Sequence, residues 1–394
     1  MIKLICVTAN NNNKYYYMTD LNNGSFKVQY GRVGGSETVL TYPMRDWDKK
    51  YNEKIKKGYI DVTEKIATVK RQSELDIEDK DVKDLIQFLM DCARQSIKRD
   101  YIISADEVTQ QQIDEVENYL HIMNQTVVNS SSYIKPSYAI VNNYLKQIYS
   151  IIPRKMYDTR NFFAGDDSYT LDWLNNLLKD EQQRLDTLKS QISLNKIDSE
   201  KITLNDLGFT CEVAPEEDRE FIRNNTDFRL TNHKVFKISN NATEAVFNPN
   251  KLKTKLLYHG SRNENFLSIL QTGLKIRPKG VQTTGSMFGD GIYAANKARK
   301  SIGYTSLRGS YWAGGSSNKA YLAIFEFATG KEWKVLDKQS WSSWMSRIDK
   351  QQVTSKGYDS VFAQGGADLR NDEYIVYDST QVTIRYLIEL KEER

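Results

Sequence analysis

Three side chains of different chemistry follow or sit in apolar, strand-like runs. His259 follows Leu256-Leu257-Tyr258, Tyr293 closes Gly-Ile-Tyr, and Glu373 lies in Asn-Asp-Glu-Tyr-Ile-Val-Tyr-Asp, over 110 residues beyond the histidine. An imidazole at a strand end can hold a polar ligand. A carboxylate fixed near a reacting centre stabilises developing positive charge, often the largest single catalytic contribution. Tyr293 and Tyr304 carry flat rings, and a stacking contact on one is worth roughly 0.5–1.5 kcal/mol beyond area burial. Gly260 has no Cβ, so a ligand can approach its backbone closely. Taken singly, each has an ordinary structural reading. A histidine after an apolar run is usually a structural hydrogen-bonder, a strand glutamate usually faces solvent, and one tyrosine among 24 is usually core.

The joint pattern is more specific. His-Gly-Ser at 259–261, Met-Phe-Gly-x-Gly-Ile-Tyr at 287–293, Lys-Ser-x-x-Tyr at 300–304 and Asn-x-Glu-Tyr-Ile-Val-Tyr-Asp at 371–378 occur in that order. Together they resemble the catalytic domain of the poly(ADP-ribose) polymerase family. The resemblance implies a catalytic triad of His259, Tyr293 and Glu373. It implies NAD+ as co-substrate, with no metal and no bound prosthetic group. The reaction transfers ADP-ribose with loss of nicotinamide through an oxocarbenium-like ribose, as in glycoside cleavage. NAD+ contacts are implied for His259, Gly260, Ser261, Tyr293, Lys300, Ser301 and Tyr304, and for Lys275 and Ser286 at less typical positions. Glu373 is expected to hold the nicotinamide ribose and polarise the acceptor. Four positions depart from the family pattern: Lys275 stands for arginine, Ser286 for tyrosine, Asp290 for lysine and Asn371 for tyrosine. Ser286 removes part of the nicotinamide-side wall, whereas Asp290 and Asn371 touch the acceptor side.

The elements that must position these residues occupy only part of the chain. At 394 residues it exceeds one typical core, so two or three domains are expected. Cys6, Cys92 and Cys211 are scattered, none in C-x-x-C, and there are three histidines, which excludes a zinc finger. Unpaired cysteines fit a reducing, intracellular compartment. With no run of 18 apolar residues, no membrane helix is expected, and the first apolar stretch is too short for a signal peptide.

Residues 1–65 read as a small β-rich domain, with apolar alternation at Tyr15–Met18 and Phe26–Val28 around Asn23-Gly24 and Gly34-Gly35 turns. Tyr30-Gly31-Arg32 and the later Lys-Lys-Gly-Tyr resemble the WGR domain, with tyrosine for the signature tryptophan. Residues 1–63 hold ten Lys/Arg against six Asp/Glu, a local +4 equal to the whole chain's net charge of +4. The resemblance implies that this domain grips DNA strand breaks, a nick or a 5′-phosphorylated end. Tyr30, Gly31, Arg32, Lys49 and Lys50 are the implied contacts, because cations with an aromatic suit phosphate and stacking. The Lys49–Lys57 run also reads as one solvated helix face.

Residues 66–79 are polar and read as a linker or a short helix. Residues 80–198 read as helical, with Ile113, Val116, Leu120, Met123 and Val127 on one face and Val82, Leu85, Phe88 and Leu89 on another. Ser168 is the expected N-cap of a further helix. This region resembles the autoinhibitory helical domain of DNA-dependent family members, whose last helices cover the NAD+ cleft until DNA binds. Residues 199–394 are the expected ADP-ribosyltransferase domain, a mixed or antiparallel sheet, with residues 278–286 as a loop over the donor site.

The expected whole is therefore α+β and multidomain: WGR domain, helical regulatory bundle, transferase. It is expected to be a monomer inside the cell, DNA-associated in nucleus or nucleoid, without membrane contact, modifying itself and other proteins with ADP-ribose. The rival readings are a binding module without turnover, an NAD glycohydrolase with water as acceptor, and activation by RNA or by no nucleic acid at all.

Overall fold

Asn-Gly and Gly-Gly pairs make tight turns cheap because glycine tolerates positive φ. Gly24 (φ +79°) and Gly34 (φ +78°) adopt it. The computed structural model describes residues 1–63, 74–103, 105–129, 136–195, 197, 200–247, 249, 252–276 and 287–392. Strands β1 (Ile2–Thr8), β2 (Asn12–Asp20), β3 (Ser25–Arg32) and β4 (Glu37–Pro43) precede helix α1 (Trp47–Lys56) and β5 (Ile60–Asp61). They form one antiparallel sheet in the order β4-β3-β2-β1-β5. Side chains alternate across it. Leu4, Tyr16, Met18, Phe26 and Val28 pack with Trp47 and Tyr51 of α1. Ile5, Val7 and Tyr15 join a second core made mostly of helix residues.

Those helices are α2 (Lys80–Asp100), α3 (Gln110–Asn129), α4 (Tyr138–Ile151) and α5 (Leu171–Asn195). The expected face of α3 is buried at Ile113, Val116, Leu120 and Met123, while the Val127 side chain lies outside the described ones. Helix α5 is capped by Thr170, whose hydroxyl accepts from the Trp173 amide at 3.1 Å. Ser168, the expected cap, instead donates its amide to Asp166 in the turn before it. The reason is spacing: a cap oxygen must reach the amide three residues on.

The chain divides into two compact units. One comprises residues 1–71 and 94–195, and the other 72–93 and 196–394. Helix α2 is shared, its residues up to Ala93 belonging with the second. There Phe88 lies against Tyr321, with Lys319 Nζ 4.6 Å above its ring.

In the first unit, the Arg154 guanidinium is buried and ion-paired with Glu181 of α5. The Phe162 ring lies 5.0 Å from it, and the Tyr101 and Tyr149 rings about as near, at 5.8 and 6.0 Å. The Arg154 carbonyl accepts from Asn13 Nδ2 at 2.8 Å, tying sheet to helices. Burial disfavours the cation, but Glu181 overcomes it and holds the guanidinium above its ordinary pKa.

The second unit opens with β6 (Glu74–Leu75), which pairs in parallel with β7 (Lys201–Ile202). It continues through β8 (Phe209–Val213), α6 (Glu216–Asn225), β9 (Val235–Asn240), α7 (Asn241–Val246), β10 (Thr254–Gly260), α8 (Asn263–Thr272), β11 (Ile292–Ala294) and α9 (Ala298–Ile302). Then come β12 (Lys319–Ala328), β13 (Glu332–Asp337), α10 (Lys350–Ser355), β14 (Ser360–Gln364), β15 (Glu373–Val376) and β16 (Val382–Lys391). Two sheets result, β10-β12-β16-β9-β8 and β11-β15-β14-β13. All pairs in them are antiparallel except β13 with β14. The unit is α+β. Strand β12 is buried almost throughout, hence its near-continuous apolar sequence. Among the described residues no helix is long and apolar enough to cross a membrane.

Replacing Glu181 by Gln removes the charge that compensates Arg154. Unfolding by urea should show a loss of about 3–5 kcal/mol, the usual cost of an orphaned buried ion. An unchanged midpoint would refute the pair's role.

Candidate active site

Strand β10 ends on Tyr258-His259-Gly260, and a bridge between Tyr258 and Ala295 lays this end beside the end of β11. Backbone bonds of 2.8 and 3.1 Å close the bridge in both directions. Helix α9 then presses on the strand. A Cβ on Gly260 would lie 1.8 Å from the Ser301 carbonyl oxygen, so glycine alone fits there. The buried Ser301 hydroxyl donates to the Tyr258 carbonyl at 3.0 Å. His259 Nδ1 faces the Tyr293 carbonyl at 3.2 Å. A carbonyl only accepts, so Nδ1 carries the hydrogen and Nε2 is the acceptor nitrogen of the neutral ring. That nitrogen suits a ligand hydroxyl.

Tyr293, the middle residue of β11, lies opposite Ile375 of β15. Its hydroxyl donates to the Gly289 carbonyl at 2.7 Å and accepts the Phe288 amide at 3.0 Å. Burial pushes its pKa well up. The hydroxyl is therefore spent on holding the 287–291 turn, and the ring is what the residue can offer a ligand. Glu373 begins β15 and is only 9% exposed. Its carboxylate is ion-paired with Lys300 of α9. Burial pushes the Glu373 pKa up, while the Lys300 charge and hydrogen bond pull it down. Burial also pushes Tyr304 up to about 12, with the Glu373 charge adding to it. Tyr293 feels the same charge, so both rings lie within electrostatic reach of the carboxylate. The Tyr304 ring is 40% exposed and stacks against Trp312 at 6.0 Å and 15°.

The remaining expected positions are less gathered. The Ser261 hydroxyl accepts from Asn265 Nδ2 at 3.1 Å. Lys275 is exposed, two residues past Gly273, which ends α8. Asp290 and Asn371 are half-buried. Ser286 and the expected covering loop, 278–286, lie outside the described residues, as do linker residues 66–73.

The residues expected to meet nucleic acid belong to the other unit. Tyr30 is half-buried rather than exposed, because it pairs across strands with Tyr16, ring centroids 5.8 Å apart. Lys54 Nζ lies over the Tyr16, Tyr30 and Tyr59 rings at 4.3, 5.9 and 5.6 Å. Burial pulls the Lys54 pKa down. Gly31 packs against the Ser36 carbonyl, where a Cβ would come within 2.4 Å. The Arg32 guanidinium donates to the Asn11 carbonyl and side chain and to the Tyr157 carbonyl, at 2.6–2.8 Å. Lys50 caps the Tyr42 ring at 4.4 Å, and Lys49 is exposed.

Comparison with known proteins agrees with this geometry. The profile of the poly(ADP-ribose) polymerase catalytic domain matches residues 221–392. The "Putative poly [ADP-ribose] polymerase-like 100L" of Invertebrate iridescent virus 6 is 30% identical over 172 residues, covering 42% of this chain and 87% of that one. The chain belongs to the poly(ADP-ribose) polymerase family. It is an NAD+ ADP-ribosyltransferase, with NAD+ as the substrate that the family's catalytic domain takes. "Uncharacterized protein 101L" of the same virus is 34% identical over 200 residues, 51% of this chain and 81% of its own. "Poly [ADP-ribose] polymerase 1" of Danio rerio aligns over 93% of this chain at 23% identity, and over 39% of its own length.

Sequence reasoning missed the residues that hold the polymerase motifs in place. The Asp372 carboxylate accepts from the Gly365 amide at 2.9 Å and from Asn296 Nδ2 at 3.1 Å. It thereby fixes the loop before Glu373 to the segment after β11. The Tyr377 hydroxyl donates to the Phe288 carbonyl. Adjacency to Glu373 was the signal for Asp372, and Tyr377 stood inside the Asn-x-Glu-Tyr-Ile-Val-Tyr-Asp motif without a role of its own.

Gly260→Ala should cost about 1–3 kcal/mol in thermal unfolding, the usual range for overpacking. It should also abolish nicotinamide binding measured by calorimetry; an alanine variant that binds normally would contradict the close approach. Lys300→Met leaves burial unopposed at Glu373. The acid limb of kcat/KM for nicotinamide release, where Glu373 takes up its proton, should then move to higher pH. A limb that stays or moves to lower pH would show that Lys300 does not sustain the carboxylate.

Proposed function

We propose that this transferase moves ADP-ribose from NAD+ onto proteins, itself included, when DNA strand breaks engage residues 1–65. The observation that carries the chemistry is the buried Lys300–Glu373 pair beside Tyr293, Tyr304 and His259. In this reading nicotinamide lies between the two rings, with its carboxamide on the Gly260 backbone and Ser301. His259 Nε2 takes a hydroxyl of the adenosine ribose. As the ribose C1′–N bond breaks, nicotinamide leaves with the bonding electrons. An acceptor carboxylate or hydroxyl forms the new C1′–O bond, and an acceptor hydroxyl loses its proton. Glu373 is the fixed negative charge facing the cationic ribose, where preorganisation counts most.

The DNA-sensing half rests on different support. Residues 1–63 carry the whole excess of positive charge. Arg32 ties β3 to the segment after α4 through the Tyr157 carbonyl, and α2 runs continuously from one unit into the other. A ligand held at the sheet could thus bias the helices, a two-state element set by a distant site. Sequence resemblance supplies the reading of those helices as an autoinhibitory lid. Successive transfers to the growing chain, giving poly(ADP-ribose), are part of the proposal, as is residence where damaged DNA is found.

Incubating the protein with labelled NAD+, with and without a nicked duplex, tests both halves on a denaturing gel. A DNA-dependent smear is expected. A sharp band would mean single transfers, and free ADP-ribose without labelled protein would mean hydrolysis. Glu373→Gln should lower transfer roughly 10²–10³-fold, as loss of a preorganised charge contact does, while NAD+ binding persists. Full activity in that variant would remove Glu373 from the mechanism.

A further inference from the structure

The segment after β13 is locked to the Tyr293-bearing turn at two points. The Trp341 indole donates through Nε1 to the Met287 carbonyl at 2.8 Å. Seven residues on, the Ile348 carbonyl presses against Gly289, whose φ is +78° and where a Cβ would come within 1.9 Å. Trp341 is held at its own backbone as well, its amide donating to Asp368 Oδ2 at 2.8 Å. Asp368 belongs to the loop that leads into Glu373, between β14 and β15. One residue therefore bridges the turn that the Tyr293 hydroxyl grips and the loop that delivers the carboxylate. Yet the Trp341 side of this bridge is not closed off, for the residue is 37% exposed.

Sheet order says which side of the site this is. Gly260 and Ser301 lie with β10 and α9 on one flank of β11. The Asp368 loop lies with β14 and β15 on the other flank. In the proposed function the first flank takes nicotinamide. The nucleophile approaches C1′ from the side away from the departing ring, and in that reading it comes over the flank of the Asp368 loop, to which the Trp341 amide is bonded. A rigid, partly exposed indole there offers apolar and stacking surface to a protein acceptor while leaving less room for water.

We propose that Trp341 is a specificity-determining residue of the acceptor side, favouring a protein nucleophile over water. The assignment rests on the transferase reading above. In both outcomes the C1′–N bond breaks and nicotinamide leaves with its electrons. Protein capture forms a C1′–O bond to an acceptor carboxylate, or to an acceptor hydroxyl that loses its proton, whereas water capture gives free ADP-ribose and a proton.

The test measures two products in one reaction of the full-length protein with doubly labelled NAD+: nicotinamide released and ADP-ribose bound to protein. In Trp341→Ala the ratio of bound ADP-ribose to nicotinamide should fall roughly fivefold, the size of one lost stacking contact. Trp341→Phe keeps a ring but not the donor, and should stay nearer wild type. Thermal melts accompany both, and Trp341→Leu carries the same expectation should the alanine variant not fold. An unchanged ratio overturns the assignment, including the case where both products fall together, which would make Trp341 a donor-side or purely structural residue. A wild-type protein that releases no nicotinamide would overturn the transferase reading itself, and this assignment with it.

Discussion

Burial disfavours the charged form of a carboxylate and a nearby cation opposes that, and the transferase unit brings one such pair together. Glu373 is nearly enclosed, and burial raises its pKa, working against the negative charge. Lys300 answers this from α9, an element of five residues positioned by β10 and β11 rather than by its own helical stability. The pair thus depends on every contact that sets α9 against β15. Those contacts are the Tyr258–Ala295 bridge, the Ser301 bond to Tyr258, and the antiparallel pairing of β11 with β15.

Close backbone approach is the means by which these contacts are made, and it explains where glycine is needed. At Gly260 the strand meets the Ser301 carbonyl, and at Gly289 the turn meets the Ile348 carbonyl. Any side chain at either point would push apart segments that must meet for the site to form. Hydroxyls then complete the frame: Tyr293 and Tyr377 both bond the backbone of the 287–291 turn. The aromatic rings are left as surfaces because their polar ends are already satisfied.

The other unit solves a related problem with different residues. Arg154 is as buried as Glu373 and is likewise held by an opposite charge, Glu181, within a ring of aromatic side chains. Lys54 lies over Tyr16, Tyr30 and Tyr59, where burial lowers its pKa and the neighbouring Glu53 charge opposes the shift. Arg32 has its guanidinium on carbonyls of Asn11 and Tyr157, so its first duty is to join sheet and helices.

What the sequence by itself determined was the local chemistry. Strand alternation, glycine turns and helical periodicity are properties of neighbouring residues, and they placed β2, β3 and the buried face of α3 correctly. Four short motifs in order were enough to assign the family, and the expectation for His259, Tyr293 and Glu373 rests on the same motifs. Only the tertiary structure decided which partners those residues have. Lys300 pairs with Glu373 across 73 positions of chain and Asn296 with Asp372 across 76, distances over which no periodicity carries information. Cap choice at α5, the half-burial of Tyr30 and the bridging position of Trp341 have the same origin. Each depends on which segment lies opposite in space, and that is settled by how sheets and helices share their cores rather than by the residues on either side.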